Sequence, residues 1–433
     1  MSFPRYPAYK DSGIAWLKSI PSHWAIVQLR HLADCLDGQR IPLNSAERSD
    51  RKGDVPYWGA NSVQDHIDAH LFDEELVLLG EDGAPFFDKT KPVAFRSEGR
   101  IWPNNHIHVL RPRIKGDSAF LTYCLNATDF ADYVDGSTRD KLTQSAMNRI
   151  AVTQPSEDER TAIVHFLDRE TAKIDALVAE QEQLITLLKE KRQAVISHAV
   201  TKGLDLSVPM KDSGVEWLGE VPEHWEVTHL KRRCALVTDG AHISPETEGG
   251  VHLFVSTKDI SDDGIDFDGA LRTSPASYEY MVKTGCQPAS GDVLFSKDGT
   301  IGRTVVVNGA TEFVIASSLI IIRPIPDQLN SDFLNALCQS WVVSQQVDGF
   351  VKGAGLPRLS IQNLLKVVGV FPPIDEQVQI ANYLSDLDMR SRTLALEAER
   401  TVALLKERRS ALISAAVTGQ IDVRGLVTAK EAA

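Results

Sequence analysis

The stretch Leu187-Leu-Lys-Glu-Lys-Arg-Gln-Ala-Val-Ile-Ser-His-Ala-Val-Thr201 returns 217 residues later as Leu404-Leu-Lys-Glu-Arg-Arg-Ser-Ala-Leu-Ile-Ser-Ala-Ala-Val-Thr418. These two stretches are the most similar part of a longer repeat, in which residues 155–205 return without a gap as residues 372–422. A second repeat begins earlier: Lys10-Asp-Ser-Gly-Ile-Ala-Trp-Leu-Lys-Ser-Ile-Pro-Ser-His-Trp24 returns 201 residues later as Lys211-Asp-Ser-Gly-Val-Glu-Trp-Leu-Gly-Glu-Val-Pro-Glu-His-Trp225. The two repeats indicate that the chain contains the same structural arrangement twice.

The longer repeat predicts two long helices. Residues 157–201 contain neither proline nor glycine, and acids at the start, bases at the end and Gly203 beyond it are typical helix boundaries. A heptad seam with three- and four-residue spacing runs along this stretch: Ile174, Leu177, Leu184, Leu188 and Val195 are its apolar members, and Gln181 and Lys191 fill the other positions. In the second copy the matching seam has Leu394, Ala398, Leu405 and Leu412, with polar Ser391 and Thr401 within it. We expect helices over about 157–201 and 374–418, each about 65–70 Å long. A half-apolar rod is not stable alone, so we expect them to pair as an antiparallel coiled coil; the alternative is two separate hairpins, each on its own domain.

The segments between the repeated blocks, residues 30–154 and 231–371, show little mutual similarity. Both consist of short apolar runs separated by glycines, which indicates strands and turns with some helix. The predicted fold class is therefore α+β, with two mainly β domains alternating with the two helices in a pseudo-two-fold repeat. The predicted boundaries are 1–154 (block and first domain), 155–205 (first helix), 206–371 (block and second domain), 372–425 (second helix) and 426–433 (tail).

The repeated blocks carry no reactive pattern. Trp16, Pro21 and Trp24, and their counterparts Trp217, Pro222 and Trp225, are interpreted as packing residues that bury their rings against the domain and helix ends. Their duplication indicates a role in the scaffold.

The formal net charge of −13 argues at first against nucleic acid as a ligand. The charge is unevenly distributed, since between residues 89 and 115 seven bases face the single acid Glu98. A basic DNA-facing surface and a strand-rich surface that is basic by chance both fit this pattern.

Nothing in the composition indicates secretion or metal binding. The first 23 residues lack the apolar core of a leader, and no apolar run could span a bilayer, so we expect a cytoplasmic protein. The five cysteines form no CxxC pair, which indicates neither a zinc site nor a disulfide framework.

Motifs for catalysis are missing. The sequence has no Asn/Asp-Pro-Pro-aromatic loop of an adenine methyltransferase, no GxxxxGK[ST] loop and no HExxH. His106 and His108 are expected to be polar surface residues rather than ligands. Catalysis would then come from partners.

Taken together, these features resemble a known family. The KDSGxxWLxxxPxHW block, the Pro-x-x-Asp-Glu helix start and the duplicated Leu-Leu-Lys-Glu helix end are similar to the specificity subunit of type I restriction-modification enzymes, over about residues 6–425. Shorter stretches resemble that family's recognition domains: Tyr57–Asn61, Leu78–Gly83 and Gly136–Leu142 in the first segment, and Thr238–Pro245, Gly291–Gly302 and Gly353–Leu359 in the second. The two segments resemble different branches of the family, so we expect them to read different half-sites.

The resemblance implies a non-catalytic subunit that binds double-stranded DNA and joins two modification (methyltransferase) subunits and further restriction subunits. S-adenosylmethionine, ATP and Mg²⁺ would bind to those partners and not to this chain. Each recognition domain would read one part of a bipartite target from the major groove, while the helix pair fixes the gap between the parts. Lysine and arginine would hold phosphates, and a few side chains would meet base edges.

The candidate DNA contacts are basic or polar residues in or near the glycine-rich loops. In the first segment they are Lys89, Lys91, Arg96, Asn105, Arg139 and Lys141; in the second, His242, Lys297, Thr300, Arg303, Lys352 and Arg358. Lys297 and Arg303 rank highest because glycines flank them and loops carry binding residues. An ordinary solvated or structural role is the alternative for each.

Two rival functions remain open at this point. One is a coiled-coil adaptor that joins proteins without touching DNA, which the acidic charge favours and the two unlike β domains oppose. The other is a self-sufficient nuclease or methyltransferase, which the missing motifs oppose.

Overall fold

The computed structural model describes residues 3–135, 140–261, 264–351 and 357–426. Its contacts divide the chain into two compact units. The first unit comprises Met1–Gln183 and Ala398–Ala433, and the second comprises Leu184–Glu397. Each unit therefore contains part of both long helices.

The helices include the two long ones that the repeat predicts. In chain order they are α1 (Ser45–Ser49), α2 (Ser118–Ala127), α3 (Gln144–Met147), α4 (Glu157–Lys202), α5 (Pro275–Lys283), α6 (Ser331–Gln339), α7 (Trp341–Val351), α8 (Ile361–Leu364) and α9 (Ile374–Val417). The predicted bounds of α4 and α9 are correct to one residue at each end. Both end before a glycine, Gly203 and Gly419, whose φ angles of 78° and 71° favour a residue without a Cβ.

The first unit is built from short strands. They are β1 (Tyr9–Asp11), β2 (Ser19–Pro21), β3 (Ala25–Gln28), β4 (Ala33–Cys35), β5 (Lys52–Trp58), β6 (Val63–Ile67), β7 (Phe72–Asp73), β8 (Leu76–Gly80), β9 (Ala94–Ser97), β10 (Arg100–Pro103), β11 (Ile107–Pro112), β12 (Val134–Asp135), β13 (Lys141–Leu142) and β14 (Ala151–Gln154). One antiparallel sheet has the order β4-β11-β8-β9, and a mixed sheet has the order β6-β5-β10-β7 with β5 and β10 parallel. Strand β8 is an unbroken apolar run and is buried at every position, as expected for a strand covered on both faces.

The second unit repeats this plan. Its strands are β15 (Met210–Asp212), β16 (Glu220–Pro222), β17 (Glu226–His229), β18 (Cys234–Asp239), β19 (His252–Val255), β20 (Ile260–Ser261), β21 (Gly264–Ile265), β22 (Leu271–Thr273), β23 (Val293–Ser296), β24 (Thr304–Val306), β25 (Phe313–Ile315), β26 (Leu319–Pro324) and β27 (Val368–Phe371). The antiparallel sheet has the order β18-β26-β23-β24, and the mixed sheet has the order β22-β19-β25 with β19 and β25 parallel. The order of the four-stranded antiparallel sheet is therefore the same in both units, although their sequences differ.

Each long helix starts against the repeated block of its own unit. Ser156 and Glu159 form a reciprocal cap at the start of α4, with Ser156 N–H donating to Glu159 Oε2 at 3.2 Å and Glu159 N–H donating to Ser156 Oγ at 3.4 Å. The same glutamate accepts hydrogen bonds from the rings of His23 (2.8 Å) and Trp24 (3.4 Å). Burial opposes ionisation of Glu159, but the hydrogen bonds from His23, Ser156 and Trp24 outweigh it and lower its pKa. The block thus anchors the helix start.

The second unit contains the equivalent anchor. Glu376 in α9 accepts from the rings of His224 (2.8 Å) and Trp225 (3.1 Å). Trp24 and Trp225 are both fully buried, as predicted, whereas Trp217 is 40% exposed and packs edge-on against Trp341.

Ion pairs join the two long helices within each unit. In the first unit Arg409 pairs with Asp175 (2.7 Å) and Lys406 with Glu182 (3.2 Å); in the second, Arg192 pairs with Asp388. Of the predicted seam residues, Ile174 and Ala398 are buried, whereas Leu177, Leu184 and Leu394 are 40–49% exposed.

Candidate nucleic-acid interface

Both units carry a charged turn directly after one of the two inner strands of the antiparallel sheet. In the first unit it is Glu81-Asp82-Gly83, which follows β8, and in the second it is Lys297-Asp298-Gly299, which follows β23. The carbonyl of Glu81 accepts from Leu142 N–H at 2.7 Å, and that of Lys297 accepts from Leu359 N–H at 3.0 Å.

A cation lies opposite the aspartate of each turn. Asp82 forms an isolated backbone bridge with Lys141, and Asp298 forms one with Arg358. Both cations were predicted from the sequence as DNA contacts. The structure therefore brings Lys141 and Arg358 to the same place in the two domains, where one main-chain arrangement presents an exposed positive side chain.

In the first unit the turn rests on a partly buried ionic cluster. Glu81 pairs with Arg40 (2.7 Å) and with Lys141 (3.2 Å), and Arg40 also lies 3.4 Å from Asp37. His108 contacts Asp37 through Nδ1 (2.6 Å) and donates from Nε2 to the carbonyl of Leu142 (2.8 Å). The cluster thus ties the cation-bearing strand β13 to the central sheet.

The surroundings of Asp37 in this cluster favour its ionised form. Burial opposes ionisation of Asp37, but hydrogen bonds from His108 and Val109 and the charge of Arg40 outweigh it and lower its pKa. Asp37, Glu81 and His108 are the one trio with metal-ligand spacing among the residues that the structure describes. The guanidinium of Arg40 already supplies a positive charge to both carboxylates, so the arrangement is a satisfied ion-pair cluster. The expectation that His108 is a surface residue is wrong, because it is 1% exposed and paired on both ring nitrogens.

In the second unit the residue at the position of Glu81 is a lysine. Lys297 is 3% exposed, and its ammonium group contacts the carboxylate of Asp239. His242 lies 3.0 Å from the same carboxylate. Burial opposes ionisation of Asp239, but Lys297 and His242 outweigh it and lower its pKa. Lys297 is therefore buried and paired with Asp239, whereas the side chain of His242 is 62% exposed.

The remaining candidates of the second segment surround this turn. Thr300 and Arg303 are exposed, and the turn is held by Ser296, whose Oγ accepts from Arg303 N–H (2.8 Å) and donates to the carbonyl of Thr300 (2.5 Å). Arg358 is half exposed and pairs with Asp298 at 3.2 Å. Within the described part of the chain, Arg303 has no acidic side chain at ion-pair distance. Its guanidinium thus remains available to a ligand.

The candidates of the first segment fall into two groups. Asn105 is exposed in the turn before β11 and lies with Lys141 near the Glu81 turn, since Glu81 N–H donates to the carbonyl of His106. A separate group is paired with acids elsewhere: Lys89 with Asp129 (3.9 Å), Lys91 with Asp88 (3.0 Å), and Arg96 with Glu75 (2.7 Å) and Glu98 (2.6 Å). Arg139 and Lys352 lie outside the described residues.

Sequence reasoning missed the acids that organise both turns. Asp37 lies two residues after β4 and Asp239 is the last residue of β18, the equivalent strand, and each precedes a glycine. The Asp-Gly dipeptide at matching places in two otherwise unlike segments was the available signal. Arg40, which pairs with two carboxylates, is marked by no such dipeptide.

A family profile described as "Type I restriction modification DNA specificity domain" matches residues 21–187 and 222–404. The matched residues cover most of the chain, with one match in each half. This chain belongs to that family. The two turns described above therefore lie one in each match to the specificity domain.

Similar proteins are described as specificity subunits. A Haemophilus influenzae protein described as a type I restriction enzyme specificity subunit is 26% identical over 84% of this chain and 88% of its own length. The EcoDI specificity subunit of Escherichia coli is 21% identical over 94% of this chain and 90% of its own.

The fold also matches a solved structure. A chain from a study of complex assembly and conformational transition of the type I R-M system covers 92% of this chain and 98% of its own, with a TM-score of 0.59 and 17% identity. At that identity the likeness concerns the fold. Among the residues that the structure describes, no helix is both long and apolar enough to cross a membrane.

Proposed function

We propose that this chain is the DNA-sequence-reading subunit of a type I restriction-modification complex, in which each β-rich domain reads one half of a bipartite target. The observation that carries the proposal is the matching pair of turns. Each follows an inner strand of a sheet with the same order, and each faces a basic residue, Lys141 or Arg358. Two domains of one fold with unlike surfaces suit two different half-sites.

The side chains around each turn divide by the contact they can make. Exposed Arg303, on a short turn, can reach a base edge, because guanidinium bonds guanine O6 and N7 in a bidentate manner. Lys141 and Arg358 already pair with a carboxylate, which fixes their direction and suits contact with a phosphate. Lys89, Lys91 and Arg96 are proposed as further phosphate contacts, each of which would have to exchange an acidic partner for DNA.

The partners follow from the family. We propose that the chain joins two modification subunits and further restriction subunits, that it is not catalytic, and that it acts in the cytoplasm. S-adenosylmethionine, ATP and Mg²⁺ would bind to those partners.

The scaffold is proposed to be an antiparallel coiled coil with pseudo-two-fold repetition. In the first unit Asp175 pairs with Arg409 and Glu182 with Lys406, so a later position of α4 pairs with an earlier position of α9. In the second unit Arg192, near the end of α4, pairs with Asp388, near the start of α9. We retain the boundaries 1–154, 155–205, 206–371, 372–425 and 426–433 as the proposed division into domains.

Segment exchange tests this proposal directly. The chain is co-expressed with its modification subunits, residues 30–154 are replaced by the corresponding segment of a relative, and methylated adenines are mapped across the genome. One half of the methylated motif should change and the other should stay. Exchange of residues 231–371 is the matched control and should change the opposite half.

Two outcomes would contradict the proposal. If both halves changed after one exchange, the domains would not read independently. If the assembled complex methylated and bound DNA without regard to this chain, the protein would act as an adaptor.

A further inference from the structure

An apolar groove is open to solvent in the second unit, where α4 ends. It encloses about 510 Å³, and its lining includes Val195, His198, Leu204, Leu206 and Tyr383. Leu206 is 81% exposed, Tyr383 46% and Leu204 42%. Three large apolar side chains at one site, each this exposed, are unusual for a surface that stays in water.

The first unit contains the same positions in a buried state. In the gapless repeat Phe166 corresponds to Tyr383 and Ile421 to Leu204, and Val423 corresponds to Leu206 two residues further on. Phe166 is 1% exposed, Ile421 9% and Val423 0%. Close to these aromatic residues in the sequence, Ile163 and Leu167 correspond to Ile380 and Leu384, and all four are buried. The two units therefore differ at the three groove positions, which are exposed in the second unit and buried in the first.

The N-terminal segment covers this site in the first unit. The ring of Phe3 packs edge-on against Phe166, with centroids 5.6 Å apart and planes at 90°. The carbonyl of Pro4 accepts from Asp422 N–H at 2.8 Å, so the segment is also held through its main chain. The cover is thus an extended peptide with one aromatic side chain.

Among the described residues of the second unit, no equivalent segment covers Tyr383, and the connection of the chain explains why. In the first unit two separate pieces meet here, one before β1 and one after α9. In the second unit a single linker, residues 203–209, runs from the end of α4 directly into β15. One piece of chain cannot take both places, so Tyr383 and the leucines of the linker stay uncovered.

We infer that this groove is a docking site for an extended segment of another subunit of the complex, with an aromatic side chain placed on Tyr383 as Phe3 is placed on Phe166. The inference rests on the proposed function, which supplies the partner subunits. A second copy of this chain suits the groove less well, because its own Phe3 segment already covers Phe166 and lending it would expose that ring.

Cross-linking in the assembled complex tests the inference. A photo-reactive amino acid replaces Leu206 in the full chain, which is then assembled with its modification and restriction subunits. The expected adduct maps to a segment of a partner subunit that contains Phe, Tyr or Trp. The same probe at Ile114, which is 44% exposed in the first unit, is the control and should not reach that segment.

A double variant, Leu206→Ser with Tyr383→Ser, gives a second readout. Because both side chains are exposed in the free chain, its unfolding should be nearly unchanged, while its affinity for the partner subunit should fall roughly tenfold or more. Wild-type affinity, an adduct only with a second copy of the chain, or no adduct in an assembled complex would overturn the inference alone. Failure of the wild-type chain to assemble with those subunits would overturn the proposed function as well.

Discussion

The indole N–H of Trp225 donates to Oε2 of Glu376 at 3.1 Å, across 151 positions of the chain. Trp24 and Glu159 make the same contact in the first unit at 3.4 Å. The tryptophan block recurs after 201 residues and the long helix after 217 residues. In each unit this contact joins the block to the start of the helix. The duplicated tryptophan and the duplicated helix start therefore form one structural element in each unit.

Removing this tryptophan should be costly. Trp225→Ala should lower the free energy of unfolding by about 3–5 kcal/mol, because a fully buried indole leaves a cavity and Glu376 loses a donor. Trp217→Ala is the matched control in the same block, and its half-exposed ring should cost about 0.5–1.5 kcal/mol. Chemical denaturation followed by circular dichroism measures both. Equal costs would mean that the contact with Glu376 does not anchor the helix.

Arg303 should contribute to reading one base. Arg303→Ala should weaken specific DNA binding by about 1–3 kcal/mol and relax one position of the target, because its guanidinium is exposed on the turn. Lys283→Ala, which removes an exposed cation from α5, is the control and should leave specificity unchanged. Binding of matched and mismatched duplexes at several salt concentrations distinguishes a base contact from a phosphate contact. A uniform loss with a shallower salt dependence would instead identify a phosphate contact.

Lys297 should matter first for stability. Lys297→Met leaves the carboxylate of Asp239 without its buried cation and should cost about 1–3 kcal/mol of unfolding free energy. Adding Asp239→Asn should recover part of that loss, because the uncompensated charge is gone. Strict additivity of the two single losses would argue against the pair. If the double variant Lys297→Met with Asp239→Asn is stable but has altered sequence specificity, Lys297 breaks its contact with Asp239 and contacts DNA when the complex forms.

Acid should weaken the first unit through Asp37. Its folded pKa lies below the ordinary value of 3.8, so its ionised form contributes stability that is present above that value and is lost as the pH falls through the folded pKa. Asp37→Asn removes this contribution. The difference in unfolding free energy between the wild-type chain and the variant should be constant near neutral pH and shrink below about pH 4. A difference that stays constant down to pH 3 would contradict the assignment.

The sequence predicts the long helices well because their signals are local. Acids, an uninterrupted run without proline or glycine, and a terminal glycine define α4 and α9 to within one residue. The shared order of the antiparallel sheet could not be predicted in this way, since it depends on pairings such as β11 with β4 and β8, whose partners lie far apart in the chain.

The same limit applies to the candidate site. The flanking glycine at 299 correctly marks a turn after Lys297, but whether the ammonium faces solvent depends on Asp239, 58 positions earlier. The surface position predicted for His108 was wrong for the same reason. Its two hydrogen-bond partners, Asp37 and the carbonyl of Leu142, are distant in sequence. Whether any of the candidates touches DNA stays a prediction.

Glu81 and Lys297 occupy the same point of the same turn with opposite charges, and each carbonyl still accepts one main-chain hydrogen bond from the segment that faces the turn. The backbone of the turn does not depend on the side chain at that point. Mutation can therefore replace a carboxylate by an ammonium there, provided the neighbouring acid or base changes with it, without rebuilding the sheet. Such a site can drift between target sequences over evolutionary time while the protein that carries it continues to fold.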